Sequence, residues 1–204
     1  MLDFVKKLFS SRHPIVIVSG LPRSGTSMMM KMLDAGGLPP LTDNVRTADD
    51  DNPRGYYEFE PVKKLGEDVS WLPRARGKAV KVISMLLKQL PADHAYKVVF
   101  MERPLDEVLL SQRQMLVHRE EATERVDNGG LGAMYERHLA DIRAWLDDQK
   151  HIDVLYVPYH DTLKNPADIS TRVAAFVNCA VDASLDAAAM KDIVDRQLYR
   201  QRTA

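Results

Sequence analysis

The chain carries a single cysteine, Cys179, in 204 residues. One thiol excludes an internal disulfide framework and a cysteine zinc cluster, and Cys179 reads as a small apolar residue on a helix. Long apolar runs are also missing, so no stretch approaches a membrane span. Charge of one sign is missing too. Lys and Arg number 28 against 29 Asp and Glu, a formal net charge of -1. Such a balance gathers neither nucleic acid nor anionic membrane, so any anion site must be local. Internal repeats and low-complexity segments are absent. Lys6 and Lys7 precede an apolar stretch as in a secretion signal. The run Ile15–Val18 is too short for one, and Asp3 and His13 stand in the wrong places, so the expected location is the cytoplasm. The length fits one domain, residues 1–204, with a sizeable core.

What is present is concentrated in Ile15-Val16-Ile17-Val18-Ser19-Gly20-Leu21-Pro22-Arg23-Ser24-Gly25-Thr26-Ser27. Four β-branched apolar residues lead into a glycine-containing loop, and the loop leads into Met28–Leu33, a run of good helix formers. Strand, tight loop, helix is the order that aims backbone N–H groups and a helix dipole at one anion. The Gly20-to-Gly25 spacing is that of a phosphate-binding loop. Thr26 stands where a nucleotide triphosphatase carries lysine, and the cation is earlier, at Arg23.

Elsewhere strands alternate with helices. Leu2, Phe4, Val5, Leu8 and Phe9 recur at helical spacing, with Lys6 and Lys7 opposite. Leu38–Gly55 is a loop rich in Pro, Asp and Asn. A helical pattern runs from Pro61 to about Trp71. Strands are expected at Ala79–Ile83, Tyr96–Met101 and Ile152–Val157, and helices after Pro104, over Met134–Asp148, from Pro166 to about Asn178, and around Leu185–Leu198. This alternation predicts an α/β fold, three layers α/β/α around a mainly parallel sheet, with ligands beyond the carboxyl ends of the strands. The anion loop follows strand one, Lys81 lies in strand two, and Arg103 follows strand three. Arg103 and Ser111 are eight residues apart, one leaving a strand and one two turns into a helix, so they can pinch a second phosphate.

With these residues in place, the sequence resembles the sulfotransferases that use 3′-phosphoadenosine 5′-phosphosulfate (PAPS). Residues 20–27, Gly-Leu-Pro-Arg-Ser-Gly-Thr-Ser, are similar to that family's phosphosulfate loop, in the arginine form of its protein-tyrosine and bacterial branches. Phe100-Met101-Glu102-Arg103-Pro104 with Ser111 is similar to its 3′-phosphate motif. Tyr156–Phe176 is similar to its late strand–helix unit. The resemblance spans about Ile15 to Val177 and implies a P-loop fold and sulfuryl transfer from PAPS to a hydroxyl or amine. By that resemblance Arg23 contacts the sulfuryl group. Ser24, Gly25, Thr26 and Ser27 hold the 5′-phosphate, Arg103 and Ser111 hold the 3′-phosphate, and Lys81 stabilises the leaving group. No metal is needed, because arginine, lysine and backbone dipoles supply the positive charge.

The match departs at the base. The cytosolic branch has a histidine two residues after the strand-two lysine, and here Ile83 stands there. Other branches use a glutamate downstream of the loop. Glu58, in Gly55-Tyr56-Tyr57-Glu58-Phe59, is the nearest equivalent, with Glu60 behind it. Both also read as solvated residues of a first helical turn. His160, past strand four, is a third candidate. The chain is short for the family and lacks its late Arg-Lys-Gly lid, for which Arg196 and Arg200 are the available substitutes. An open acceptor site, or a lid lent by a second copy in a homodimer, follows from that. The acceptor class stays open among small molecules, glycans and peptides, and its pocket is expected between Leu38–Gly55 and Val117–Gly132. Two other readings of the same loop are a nucleotide kinase or triphosphatase, with Glu102 as its metal ligand, and a nucleotide-binding module without turnover.

Overall fold

The structure is a computed structural model, which describes residues 13–43, 55–118, 128–178, 180–181 and 184–195. The expected amino-terminal helix, most of the loop from Leu38 to Gly55, part of the segment before Gly132, Cys179, Arg196 and Arg200 lie outside the described residues.

Among the described residues four strands form one sheet: β1 (Ile15–Gly20), β2 (Ala79–Lys81), β3 (Tyr96–Glu102) and β4 (Ile152–Pro158). Their order is β2-β1-β3-β4, and every pairing is parallel. The helices are α1 (Thr26–Ala35), α2 (Leu105–His118), α3 (Asn128–Asp147), α4 (Tyr159–Lys164), α5 (Pro166–Asn178) and α6 (Ala187–Asp192).

Strand alternation sorts the core into two layers. Val16, Val18, Val99, Met101 and Val157 face Met29, Met30, Met32 and Leu33 of α1, together with Ile169, Val173 and Val177 of α5. Ile15, Ile17, Tyr96, Val98, Phe100 and Ile152 face the other way. They meet Trp71, Leu72 and Leu87, and Ile142 and Leu146 of α3. All six residues of β1 are buried because it sits between β2 and β3 with helices or loops over both faces. Each fully buried aliphatic side chain of this strand contributes about 1.5–3 kcal/mol. The expected α/β layering is therefore what the structure has, with a sheet that is wholly parallel.

Three local expectations are corrected. The helical pattern from Pro61 to Trp71 is one short 3-10 turn, Glu60–Lys64, followed by non-helical chain, and a second 3-10 turn, Leu72–Ala75, comes directly after it. Each turn has a proline in its opening positions, and between them the Asp68 carboxylate accepts from Ser70 N at 2.8 Å, a local bond that competes with helix. Strand β2 ends at Lys81 instead of Ile83. Val82 N still bonds Val18 O at 3.0 Å, and the chain then enters a 3-10 turn over Ser84–Gln89. Helix α3 begins at Asn128, through glycines that suggest a break. Leu131 and Tyr135 pack with Leu21 and Val108, and tertiary contact outweighs the weak propensity of glycine.

Register sets up the crevice. Gly20 pairs with Met101 and Met101 with Val157, so β1, β3 and β4 end level with one another. Glu102 pairs with Pro158, which makes Arg103 and Tyr159 the next neighbours. Lys81 is the last residue of β2 and pairs with Val18. The cations of three separate segments therefore leave the sheet at one edge.

Candidate active site

The loop between β1 and α1 is held by close approach. Gly20 has φ 142°, and a Cβ there would lie 2.5 Å from Ser24 Oγ and 2.6 Å from the Met101 carbonyl. Gly25 has φ 100° and caps α1, and a Cβ there would lie 2.6 Å from the Tyr159 ring. Only glycine fits these two positions. Arg23 has φ 70°, a left-handed conformation that costs a non-glycine residue about 1–3 kcal/mol. The bend turns the Arg23 side chain toward α2, where its Nε donates to Ser111 Oγ at 2.9 Å. Ser24 is buried, and its hydroxyl has no hydrogen-bond partner, as is also true of Ser19 on the strand below. Buried hydroxyls without partners are uncommon. Thr26 opens α1. The first N–H groups of a helix have no partner within the helix, so the loop and α1 together present backbone donors at this point.

Arg103 makes the second half. Its Nη1 donates to the Arg23 carbonyl at 3.0 Å and its Nε to Glu107 at 2.9 Å. Its guanidinium lies 4.5 Å from the centre of the Tyr159 ring. The other oxygen of Glu107 is 2.8 Å from His160 Nε2. Burial pushes the Tyr159 hydroxyl above its ordinary pKa, Arg103 pulls it back and Glu107 adds to the rise.

Lys81 forms a third group. Its ammonium donates to the Tyr56 carbonyl, lies 5.9 Å from the Tyr56 ring centre, and stands 3.9 Å from the Glu58 carboxylate. Ser27 Oγ, from the first turn of α1, reaches the same Tyr56 carbonyl at 3.4 Å. Tyr57 has φ 52°, and with Arg23 it is one of the non-glycine residues of positive φ among the described residues. The kink brings Glu58 back over the strand ends. The Glu58 carbonyl accepts from Thr42 Oγ1 at 2.8 Å, which pins it to the loop after α1. Glu60 points elsewhere and pairs with Lys63 at 2.6 Å, both side chains being exposed. Glu102, the last residue of β3, is met by Arg143.

The structure thus brings Arg23, Ser111 and Arg103 together, and Ser27, Lys81 and Glu58 together, around the carboxyl ends of the strands. It separates Glu60 from that set and engages His160 with Glu107. Tyr56, Glu107 and Tyr159 escaped the sequence reading. Glu107 had a signal, one helical turn after Arg103. Tyr159 had one also, since it directly follows β4 at the edge where Arg23 follows β1 and Arg103 follows β3. Tyr56 acts through its carbonyl, which residue type does not reveal. Among the described residues no group of three or more His, Cys, Asp or Glu side chains is placed to hold a metal ion. No helix among them is long and apolar enough to cross a membrane.

No protein-family model matches the sequence, and no curated protein matches it. Solved structures do match the fold. A mouse sulfotransferase, SULT7A1 complexed with PAP, superposes with TM-score 0.50 at 12% identity, over 92% of this chain and 65% of that one. A sulfotransferase from Alicyclobacillus acidocaldarius gives 0.49 at 16% identity, over 86% and 85%. STF1 from Mycobacterium tuberculosis H37Rv gives 0.49 at 14%, over 97% and 80%. The fold is similar to that of the mouse sulfotransferase. At these identities the likeness is one of fold, and this chain spans about two thirds of the mouse protein.

Proposed function

We propose that this chain, acting as one domain, moves a sulfuryl group from PAPS to a hydroxyl or amine acceptor. The observation that carries the reading is the convergence of two anion-binding motifs, with Arg23 Nε bonded to Ser111 Oγ and Arg103 bonded to the Arg23 carbonyl. A donor with phosphates at its 5′ and 3′ positions needs two such motifs side by side. A triphosphate in line needs one. The complex of the mouse relative with PAP supports the same donor.

The residues fit that donor. Ser24, Gly25, Thr26 and Ser27 would hold the 5′-phosphate through backbone N–H groups and hydroxyls, and the partnerless Ser24 hydroxyl suits a site made for an anion. Arg103 and Ser111 would hold the 3′-phosphate. PAPS supplies an activated sulfuryl group whose bridging oxygen leaves with 3′,5′-diphosphoadenosine. Arg23 and Lys81 place fixed positive charge where that oxygen gains its electron pair, which needs no metal ion in this reading. Glu58 takes the acceptor's proton as the acceptor oxygen or nitrogen bonds to sulfur. Its distance of 3.9 Å from Lys81, against the pairing of Glu60 with Lys63, supports Glu58 over Glu60 in this role.

Release of 3′,5′-diphosphoadenosine from PAPS, measured across small hydroxyl, amine, glycan and peptide acceptors with a metal chelator present, tests the proposal. Acceptor-dependent release is expected, and release that requires magnesium would overturn the metal-free mechanism.

A further inference from the structure

The carboxylate of Glu107 is unusual for a site built to bind anions. Its side chain is 1% exposed and that of Arg103 is 6% exposed, and the two are bonded at 2.9 Å. A buried carboxylate beside the clamp's cation has two opposed effects. It subtracts from the field that a phosphate would feel. It also keeps a desolvated guanidinium in place, and a buried arginine without a partner would turn toward water. Geometry decides which effect dominates. Arg103 is held on three sides: by Glu107 at Nε, by the Arg23 carbonyl at Nη1, and by the Tyr159 ring beneath its plane. The same Tyr159 ring is what a side chain at Gly25 would strike. Glu107 cannot rotate away from this arrangement, because its second oxygen is engaged by His160 Nε2 at 2.8 Å. The chain Gly25–Tyr159–Arg103–Glu107–His160 thus couples the anion loop to the second clamp through packed groups.

From this geometry we infer that Glu107 is a positioning residue. It is braced by His160 and fixes Arg103 against Tyr159, so that the clamp selects donors carrying a 3′-phosphate. The inference rests on the donor proposed above, and it concerns selectivity instead of transfer.

The test compares the affinities of 3′,5′-diphosphoadenosine and adenosine 5′-phosphate, which differ by the one phosphate in question, for the wild-type chain, Glu107→Gln and Glu107→Leu. Wild type is expected to prefer the diphosphate. Glu107→Leu should lower that preference about tenfold or more, as expected for a charged hydrogen-bonding network. Glu107→Gln should lower it less, since the amide oxygen still accepts from Arg103 Nε, and this variant serves where the leucine variant does not fold. In an Arg103→Ala background, Glu107→Gln should change the preference by less than about twofold. A preference unchanged in both folded variants overturns the inference. So does an equal loss of affinity for both nucleotides, which marks a merely structural role. A wild-type chain with no preference overturns the donor reading itself, before any variant is compared.

Discussion

Arg23 and Ser111 lie 88 positions apart in the chain and 2.9 Å apart in space, guanidinium to hydroxyl. One belongs to the loop after β1 and the other to the second turn of α2. Their contact ties the loop after β1 to α2. It also accounts for the place of the loop's cation. A lysine at position 26, at the start of α1, would serve a single phosphate chain, whereas an arginine at 23 reaches across to the second motif.

Removing the second clamp should remove the donor. Arg103→Ala deletes a guanidinium that touches Glu107, Tyr159 and the loop carbonyl at once. Calorimetry should show binding of 3′,5′-diphosphoadenosine weakened by about tenfold to a thousandfold, the range for one charged, desolvated contact. Wild-type affinity in this variant would take Arg103 out of the site. Glu107 is also left buried without its cation, so the variant should melt lower than wild type.

Base and bystander should separate cleanly. Glu58→Gln is expected to slow transfer by about two to four powers of ten while leaving nucleotide affinity in place. Glu60→Gln should leave the rate as it is, because Glu60 pairs with Lys63 in solvent. Equal rates for Glu58→Gln and wild type would assign the proton to another group.

Much of this was legible in the sequence. The run Ile15–Val18 and the paired glycines specify strand and loop through local chemistry. The alternation of strands and helices specifies the layers. The contrast between Glu58, close to Lys81, and Glu60, paired with Lys63, was not legible. It depends on the left-handed kink at Tyr57 and on Lys81 arriving from another strand. Tyr159 was hidden for a similar reason. Its place beside Arg103 comes from register, Glu102 against Pro158, and register is a property of two strands together. The helix expected over Pro61–Trp71 failed because apolar spacing alone does not distinguish a continuous helix from a short 3-10 turn and irregular chain packed on the same core.

The anion loop should tolerate no side chain at its cap. Gly25→Ala adds a Cβ 2.6 Å from the Tyr159 ring and asks alanine to adopt φ 100°. Chemical denaturation should show a loss of about 1–3 kcal/mol from backbone strain, with further loss if the ring cannot shift. Nucleotide affinity should fall with it, since Tyr159 also carries Arg103. An alanine variant as stable as wild type would contradict the packing described.

Acid should weaken the fold through His138. Burial holds its pKa below the ordinary 6.5, against an opposing pull from Asp141. The unfolded chain therefore binds a proton that the folded chain resists. Stability should rise with pH between the lowered folded value and 6.5, level off above 6.5, and fall as the solution is acidified below it. His138→Gln keeps a polar group beside Ser84, whose hydroxyl is 2.9 Å from His138 Nε2, and should flatten that part of the profile. An unchanged slope in the variant would assign the acid sensitivity to other groups.

The central claim, that the crevice is built for a nucleotide with separate 5′ and 3′ phosphates, is tested most directly by ligand-dependent melting. A ligand that binds only the folded state raises the melting temperature in proportion to the logarithm of its saturation. At equal concentrations 3′,5′-diphosphoadenosine should raise it and ATP with magnesium should not. Stabilisation by ATP with magnesium, and none by 3′,5′-diphosphoadenosine, would contradict the account.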